Sequence, residues 1–222
     1  MDLLLYLLMF IIPAIAQGYV TSTYNKYKKI INKCDMTGLD MAEKILEANG
    51  LGNLYVVETK GTMTDHYDPT RKTVKLSTEV FHENSIASIA IAAHECGHAI
   101  QDKEGYFFLR VRSRIYPVVN VATKFAYIVL LIGVLLEYLD LVLAGIVLVG
   151  FGLVFQLVTL PVEINASKRA MLEMQNLGIL KDDISGVKAM LRAAALTYVA
   201  AVLSSALEVL RLVMIFFNRR RD

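Results

Sequence analysis

Two apolar runs of 20 residues, Pro117 to Leu136 and Leu141 to Leu160, are separated only by Glu137-Tyr138-Leu139-Asp140. At a rise of about 1.5 Å per residue, each is long enough to cross a hydrocarbon core of roughly 30 Å as an α-helix. So short a connection makes them antiparallel neighbours, and they read as a transmembrane hairpin. Asn120 and Lys124 lie near the start of the first run, where a lysine snorkels towards the headgroups and leaves the boundary loose by several residues. A further apolar stretch, residues 3 to 20, reads as a first transmembrane helix. Its rival reading is a signal peptide, because Ala14-Ile15-Ala16 resembles a small-residue cleavage site. Asp2 stands where a signal peptide carries positive charge, which favours an uncleaved anchor. A last stretch, Ala193 to Phe217, either spans the membrane or lies against the other helices. It holds Glu208 and Arg211 at an i, i+3 spacing that allows pairing.

Composition agrees with membrane insertion, since 55% of the 222 residues are apolar. Lys and Arg number 23 against 21 Asp and Glu, so no basic footprint for nucleic acid stands out. The two cysteines, Cys34 and Cys96, argue against a disulfide framework.

Between the anchor and the hairpin the chain turns polar. A helix is expected from about Asp40 to Asn49, with Gly50 suited to a left-handed C-cap. Leu54 to Glu58, Thr62 to Tyr67 and Thr73 to Leu76 read as strands of a small sheet, with Asp68-Pro69-Thr70-Arg71 turning between the last two. Ser77 or Thr78 can cap a short turn, and Ser85 can cap a helix continuing to Gly105. After the hairpin, Pro161 suits the first turn of an amphipathic helix ending near Gly178. The fold class expected is a mainly α membrane protein with a small α+β lobe. Its segments are an anchor (1–21), the lobe (22–116), the hairpin (117–160), a further helical region (161–192) and a C-terminal hydrophobic helix with a basic tail (193–222).

The chemistry concentrates in His94-Glu95-Cys96-Gly97-His98, which falls on the helix after Ser85. Residues four apart share a helix face, so His94 and His98 can present two imidazole nitrogens to one ion. Glu95 sits next in angle, beside the ion, where a carboxylate can take a proton from water and pass it to a leaving amine. Zn²⁺ suits this set: it lowers the pKa of bound water from 15.7 to about 7 and polarises a carbonyl. Ala90, Ala92, Ala93, Gly97 and Ala99 make the helix surface small and apolar, permitting close approach of another element. A catalytic zinc takes three protein ligands and keeps one position open. Glu163 is the candidate third ligand, because the hairpin returns the chain to the side of the membrane it left. His66, His82 and Glu173 compete for the role.

With HECGHAIQ, a transmembrane hairpin and then LPVEINASKRA, the chain closely resembles the YugP-like family of membrane zinc metallopeptidases over nearly its whole length. More distantly it resembles the HtpX and CAAX-prenyl endopeptidases. The resemblance implies His94, His98 and Glu163 as ligands, Glu95 as general base, and a gluzincin-like core. It also implies a substrate peptide lying along a strand edge, for which the strand ending at Leu76 is the candidate. The distant relatives follow their glutamate ligand with a Glu-x-x-Ala-Asp-like pattern, whereas here Glu163-Ile164-Asn165-Ala166-Ser167 has no acid at position 167. Asn165 or Ser167 must then supply any hydrogen bond to the first histidine. His66, Tyr67 and Tyr198 are candidate donors to the oxyanion that develops during attack.

Lys26, Lys28 and Lys29 follow the first span and Arg110, Arg112 and Arg114 precede the second, while the 137–140 loop has no basic residue. The positive-inside rule therefore puts the lobe in the cytoplasm. Arg219-Arg220-Arg221 disagrees if the last stretch crosses fully, so the expectation is that it does not. The function expected is a multi-pass membrane zinc metalloendopeptidase acting on membrane-associated proteins or peptides. The alternative is a non-catalytic zinc-binding membrane scaffold; a transporter ranks last, since the spans lack broken-helix repeats.

Overall fold

The computed structural model describes residues 2–179 and 183–219, so Arg220 and Arg221 of the basic tail lie outside the described residues. Among the described residues, four helices are long and apolar enough to cross a membrane: Leu3–Tyr27, Phe107–Leu135, Leu139–Asn176 and Ile184–Asn218. They make this a mainly α, multi-pass membrane protein. The chain divides into two compact units.

The first unit comprises Met1–Gln17, Phe107–Pro161 and Thr197–Asp222. It takes in the start of α1 (Asp2–Tyr27), and it contains α5 (Phe107–Leu135), the first part of α6 (Leu139–Asn176) and most of α7 (Ile184–Arg219). Helices α5 and α6 form the expected hairpin, turning through Glu137 at a φ of 54°. Two glycines let them close. A Cβ on Gly133 would lie 2.7 Å from the Val142 nitrogen, and one on Gly145 would lie 2.5 Å from Leu130 Cγ. Small residues of this kind bring membrane helices into backbone contact. Ala126, Leu130, Val142, Ile146, Val149 and Phe216 form the buried cluster, while Leu3, Phe10, Leu131 and Leu135 are exposed, as suits lipid-facing positions. Tyr127 donates to Glu208, and Arg211 donates to Tyr6 while its guanidinium lies 4.2 Å from that ring. Both members of the expected i, i+3 pair thus bond tyrosines on other helices.

Two boundaries at proline differ from the sequence reading. Helix α5 begins ten residues before Pro117, and α6 runs through Pro161 instead of starting there. A proline inside a helix removes one N–H from the ladder and crowds the preceding turn, but it does not oblige the helix to stop. Where the apolar run and the amphipathic run share one helical phase, they continue as one element of 38 residues.

The second unit comprises Gly18–Tyr106 and Val162–Leu196. Helix α2 (Gly38–Ala48) starts two residues before the expected position because Thr37 caps it: its hydroxyl accepts from the Asp40 N–H at 3.1 Å, and Asp40 accepts from the Thr37 N–H at 2.8 Å. The chain leaves α2 through Gly50 at a φ of 62°. Three strands follow, β1 (Tyr55–Thr59), β2 (His66–Asp68) and β3 (Thr73–Ser77), in spatial order β1-β3-β2. β2 and β3 are antiparallel, and Asp68 stabilises their turn by accepting from the Thr70 and Arg71 N–H groups. β1 pairs with β3 in parallel. Helices α3 (Thr78–His82) and α4 (Ile86–Lys103) come next, and the Ser85 hydroxyl caps α4 by accepting from the Ser88 N–H at 3.0 Å. Met41, Ile45, Leu46, Leu76, Ile89, Met174 and Val187 form one core uniting α2, the sheet, α4 and the ends of α6 and α7. α4 lies inside this core, buried over most of its length.

Candidate metal centre

On α4, positions 94, 98 and 101 recur at i, i+4 and i+7 and so share one face, while Gly97 lies beside it. Gly97 decides how close α6 can come. A Cβ there would stand 2.5 Å from the carbonyl oxygen of Ala166, and backbone cannot yield as a side chain can. The contact brings Glu163 and Ser167, one turn apart on α6, against the two histidines.

His94 Nε2 lies 3.3 Å and His98 Nε2 lies 3.4 Å from Glu163 Oε2. Among the described residues, His94, His98 and Glu163 are the group whose donor atoms all lie within 4.8 Å of one another. Ligand bonds of about 2.0–2.1 Å at a tetrahedral angle put neighbouring donors about 3.3 Å apart. The two histidine-to-glutamate separations have that length. Two imidazoles and one carboxylate are also the donors a catalytic zinc takes, so the residues fit the ion on chemistry and on spacing. Glu163 is 2% exposed, a depth at which a carboxylate needs compensating positive charge.

The far nitrogens of the two imidazoles are also held. His94 Nδ1 lies 3.2 Å from the Ser167 hydroxyl, and His98 Nδ1 lies 3.0 Å from Gln101 Oε1. Ser167 therefore occupies the place an acid was expected to fill. Asn165 does not reach His94; its Oδ1 accepts from Gln101 at 2.9 Å and from Arg169 at 2.8 Å. Gln101 was missed from sequence. The available signal was its position, one turn beyond His98 on the ligand face.

Glu95 is buried beside this set. Burial pushes its carboxyl up to about 7, the Glu163 and Asp65 carboxylates push the same way, and His94 and the Tyr67 backbone N–H pull down. Such a carboxyl can accept or release a proton near neutral pH. Asp65 accepts from the Ser77 N–H at 2.7 Å, and burial raises its carboxyl too.

The remaining candidates are placed as follows. Tyr67 donates through its hydroxyl to Asp102 at 2.7 Å, so its backbone, not its side chain, meets Glu95. His66 is exposed, with Nδ1 2.8 Å from the Thr64 carbonyl oxygen. Tyr198 lies half-buried on α7, in the first unit. Of the competing ligands, His82 pairs with Glu58 at 3.3 Å and Glu173 accepts from Asn49 at 2.8 Å. Cys34 and Cys96 are both free thiols.

Residues 2–217 match the family described as Putative neutral zinc metallopeptidase. The chain is 47% identical over 208 residues to the Putative membrane protease YugP of Bacillus subtilis (strain 168), an overlap of 93% of this chain and 92% of that protein. No solved structure matches. A match that leaves only a few terminal residues outside it, on a chain whose clustered histidines and buried glutamate suit zinc, places this membrane protein in the Putative neutral zinc metallopeptidase family, whose metal is zinc.

Proposed function

We propose that the protein is a gluzincin-type zinc endopeptidase, with His94, His98 and Glu163 as metal ligands and Glu95 as general base. The observation that carries the reading is the pair of Nε2-to-Oε2 separations at tetrahedral spacing, with all three donor atoms within 4.8 Å of one another and a buried carboxyl beside them. When bound, zinc supplies Lewis acidity that polarises a peptide carbonyl and acidifies water at neutral pH. Glu95 accepts the proton of the attacking water and returns it to the departing amine nitrogen as the C–N bond breaks.

The substrate strand docks along the outer edge of β2. The strand ending at Leu76 was expected to take it, but β3 is the central strand and both its edges are paired. β2 keeps one edge without a strand partner among the described residues, and the Tyr67 N–H reaches Glu95. An extended peptide added there gains main-chain hydrogen bonds while its carbonyl passes the candidate base.

Glu163 stands two residues beyond Pro161 on the helix that forms the third span. This supports a preference for membrane-associated substrates, cut in extended segments. The lobe faces the cytoplasm in this reading, on the basic residues that flank the first two spans.

Glu95→Gln is expected to keep zinc and lower peptide cleavage by about 10²–10⁴-fold. Metal content and cleavage of a peptide library by the detergent-solubilised wild type and variant test this. Zinc-loaded wild type that cleaves nothing would favour the non-catalytic scaffold.

A further inference from the structure

We propose that Gln101 is a positioning residue that fixes which imidazole nitrogen His98 offers to the metal, with Val162 and the Asn165–Arg169 pair locking its amide in place; this rests on the ligand reading above.

The assignment follows from donor capacity, taken from the outside inwards. A guanidinium can only donate. Arg169 Nε lies 2.8 Å from one side-chain atom of Asn165, while Arg169 Nη2 is anchored on Glu104 at 2.6 Å. The Asn165 atom is therefore the amide oxygen. That oxygen lies 2.9 Å from one end of the Gln101 amide, which must be the NH₂ end. The same NH₂ lies 2.8 Å from the Val162 carbonyl oxygen, a second group that can only accept. Two independent acceptors thus forbid the flipped amide, which would set oxygen against oxygen twice inside a site where Gln101 is fully buried.

With the NH₂ end fixed, Oε1 faces His98 Nδ1 at 3.0 Å. An amide oxygen only accepts, so Nδ1 carries the proton. In a neutral imidazole the other nitrogen then holds the lone pair, and that atom, Nε2, is the one 3.4 Å from Glu163 Oε2. The order of hydrogen bonds keeps a proton on Nδ1, so Nε2 is the nitrogen left for the ion; without the ion, Nε2 faces the Glu163 carboxylate, where a second proton can sit. The same order also fixes the ring plane, because Gln101 is itself tied to the α6 backbone.

His94 has no comparable lock. Its Nδ1 faces the hydroxyl of Ser167 at 3.2 Å, which can accept or donate. The two ligands therefore differ: His98 is preset, and His94 takes its tautomer when the ion binds.

The test is the ¹⁵N chemical shift of the His98 ring in the metal-free and zinc-loaded protein, with zinc affinity by chelator competition and thermal unfolding as a fold control. In wild type, His98 Nδ1 is expected to carry a proton in both states, with Nε2 unprotonated in the zinc-loaded protein. Gln101→Met, close in length but without the acceptor, is expected to mix the tautomers of the metal-free protein and weaken zinc by about 10–100-fold. Gln101→Glu keeps an oxygen facing Nδ1 but sets its other oxygen against the Val162 carbonyl and Asn165 Oδ1, and is expected to weaken zinc as well. Arg169→Met removes one of two locks and is expected to have a smaller effect than Gln101→Met. Wild-type His98 found as the Nε2–H tautomer without metal overturns the proposal even if Gln101→Met fails to fold. Unchanged shifts and affinity in a folded Gln101→Met overturn it as well. His98→Ala that binds zinc as tightly as wild type would sink the ligand reading instead, which separates the two failures.

Discussion

Gly97 is where one hydrogen atom in place of a side chain has a large effect. Its missing Cβ lets the Ala166 carbonyl sit where no other residue would allow it, and Glu163 and Ser167 reach the histidines from that approach. Gly97→Ala is expected to destabilise the protein by about 1–3 kcal/mol through overpacking and to weaken zinc binding. Thermal unfolding and chelator competition on the purified variant check both. His94, Glu95 and His98 are legible from sequence because i, i+4 spacing on a helix is geometry that the chain carries locally. Glu163 is reached only by reasoning that a hairpin returns the chain, and the Ser167 contact only by asking what replaces a missing acid. Gln101 escapes because its partners, Val162 and Asn165, lie more than 60 residues away. A glutamine one turn beyond a histidine has no meaning until those partners are in place.

At the scale of elements, the ion would join α4 to α6. With the proposed ligands on both helices, metal would bind the folded chain alone and stabilise it by mass action, by about 2.7 kcal/mol at a free zinc concentration 100 times the dissociation constant. A strong chelator is therefore expected to lower the melting temperature of the wild type. The same chelator should leave Glu163→Ala, already poor in zinc, almost unmoved; an equal drop in both would place the stabilising ion elsewhere. Helix existence and type are readable wherever a long apolar or amphipathic run supplies the signal, as in α1, α4, α5 and α7. Boundaries at proline are not, because Pro117 and Pro161 each look like a helix start yet lie inside α5 and α6. The strands illustrate a different gap. β1 and β3 lie within a residue of the positions read from composition and turn residues, whereas β2 begins at His66 and not at Thr62; the order β1-β3-β2 depends on the parallel β1–β3 pairing, a non-local choice with no local signature. That choice pairs both edges of β3 and gives β2 the outer edge along which the proposed substrate would lie.

For the whole molecule, the open question of side is an experimental one. Four helices have the length and composition to cross, and a lobe in the cytoplasm then puts the 137–140 loop outside. In a chain with Cys34 and Cys96 replaced, a cysteine introduced at Asp140 is expected to react with an impermeant maleimide on intact cells. One introduced at Lys60, on the exposed side of the lobe, is expected to react only after permeabilisation. The reverse pattern would mean that the lobe is exported.

The continuity of α6 also bears on the order in which the protein is made. His94 and His98 leave the ribosome early, whereas Glu163 emerges only after both arms of the hairpin, 69 residues behind the first histidine. A nascent chain halted before α6 is complete holds two of the three proposed ligands. For the site proposed above, completion of the third ligand is tied to synthesis of the third span, so the three ligands come together only once the first three of the four candidate spans exist.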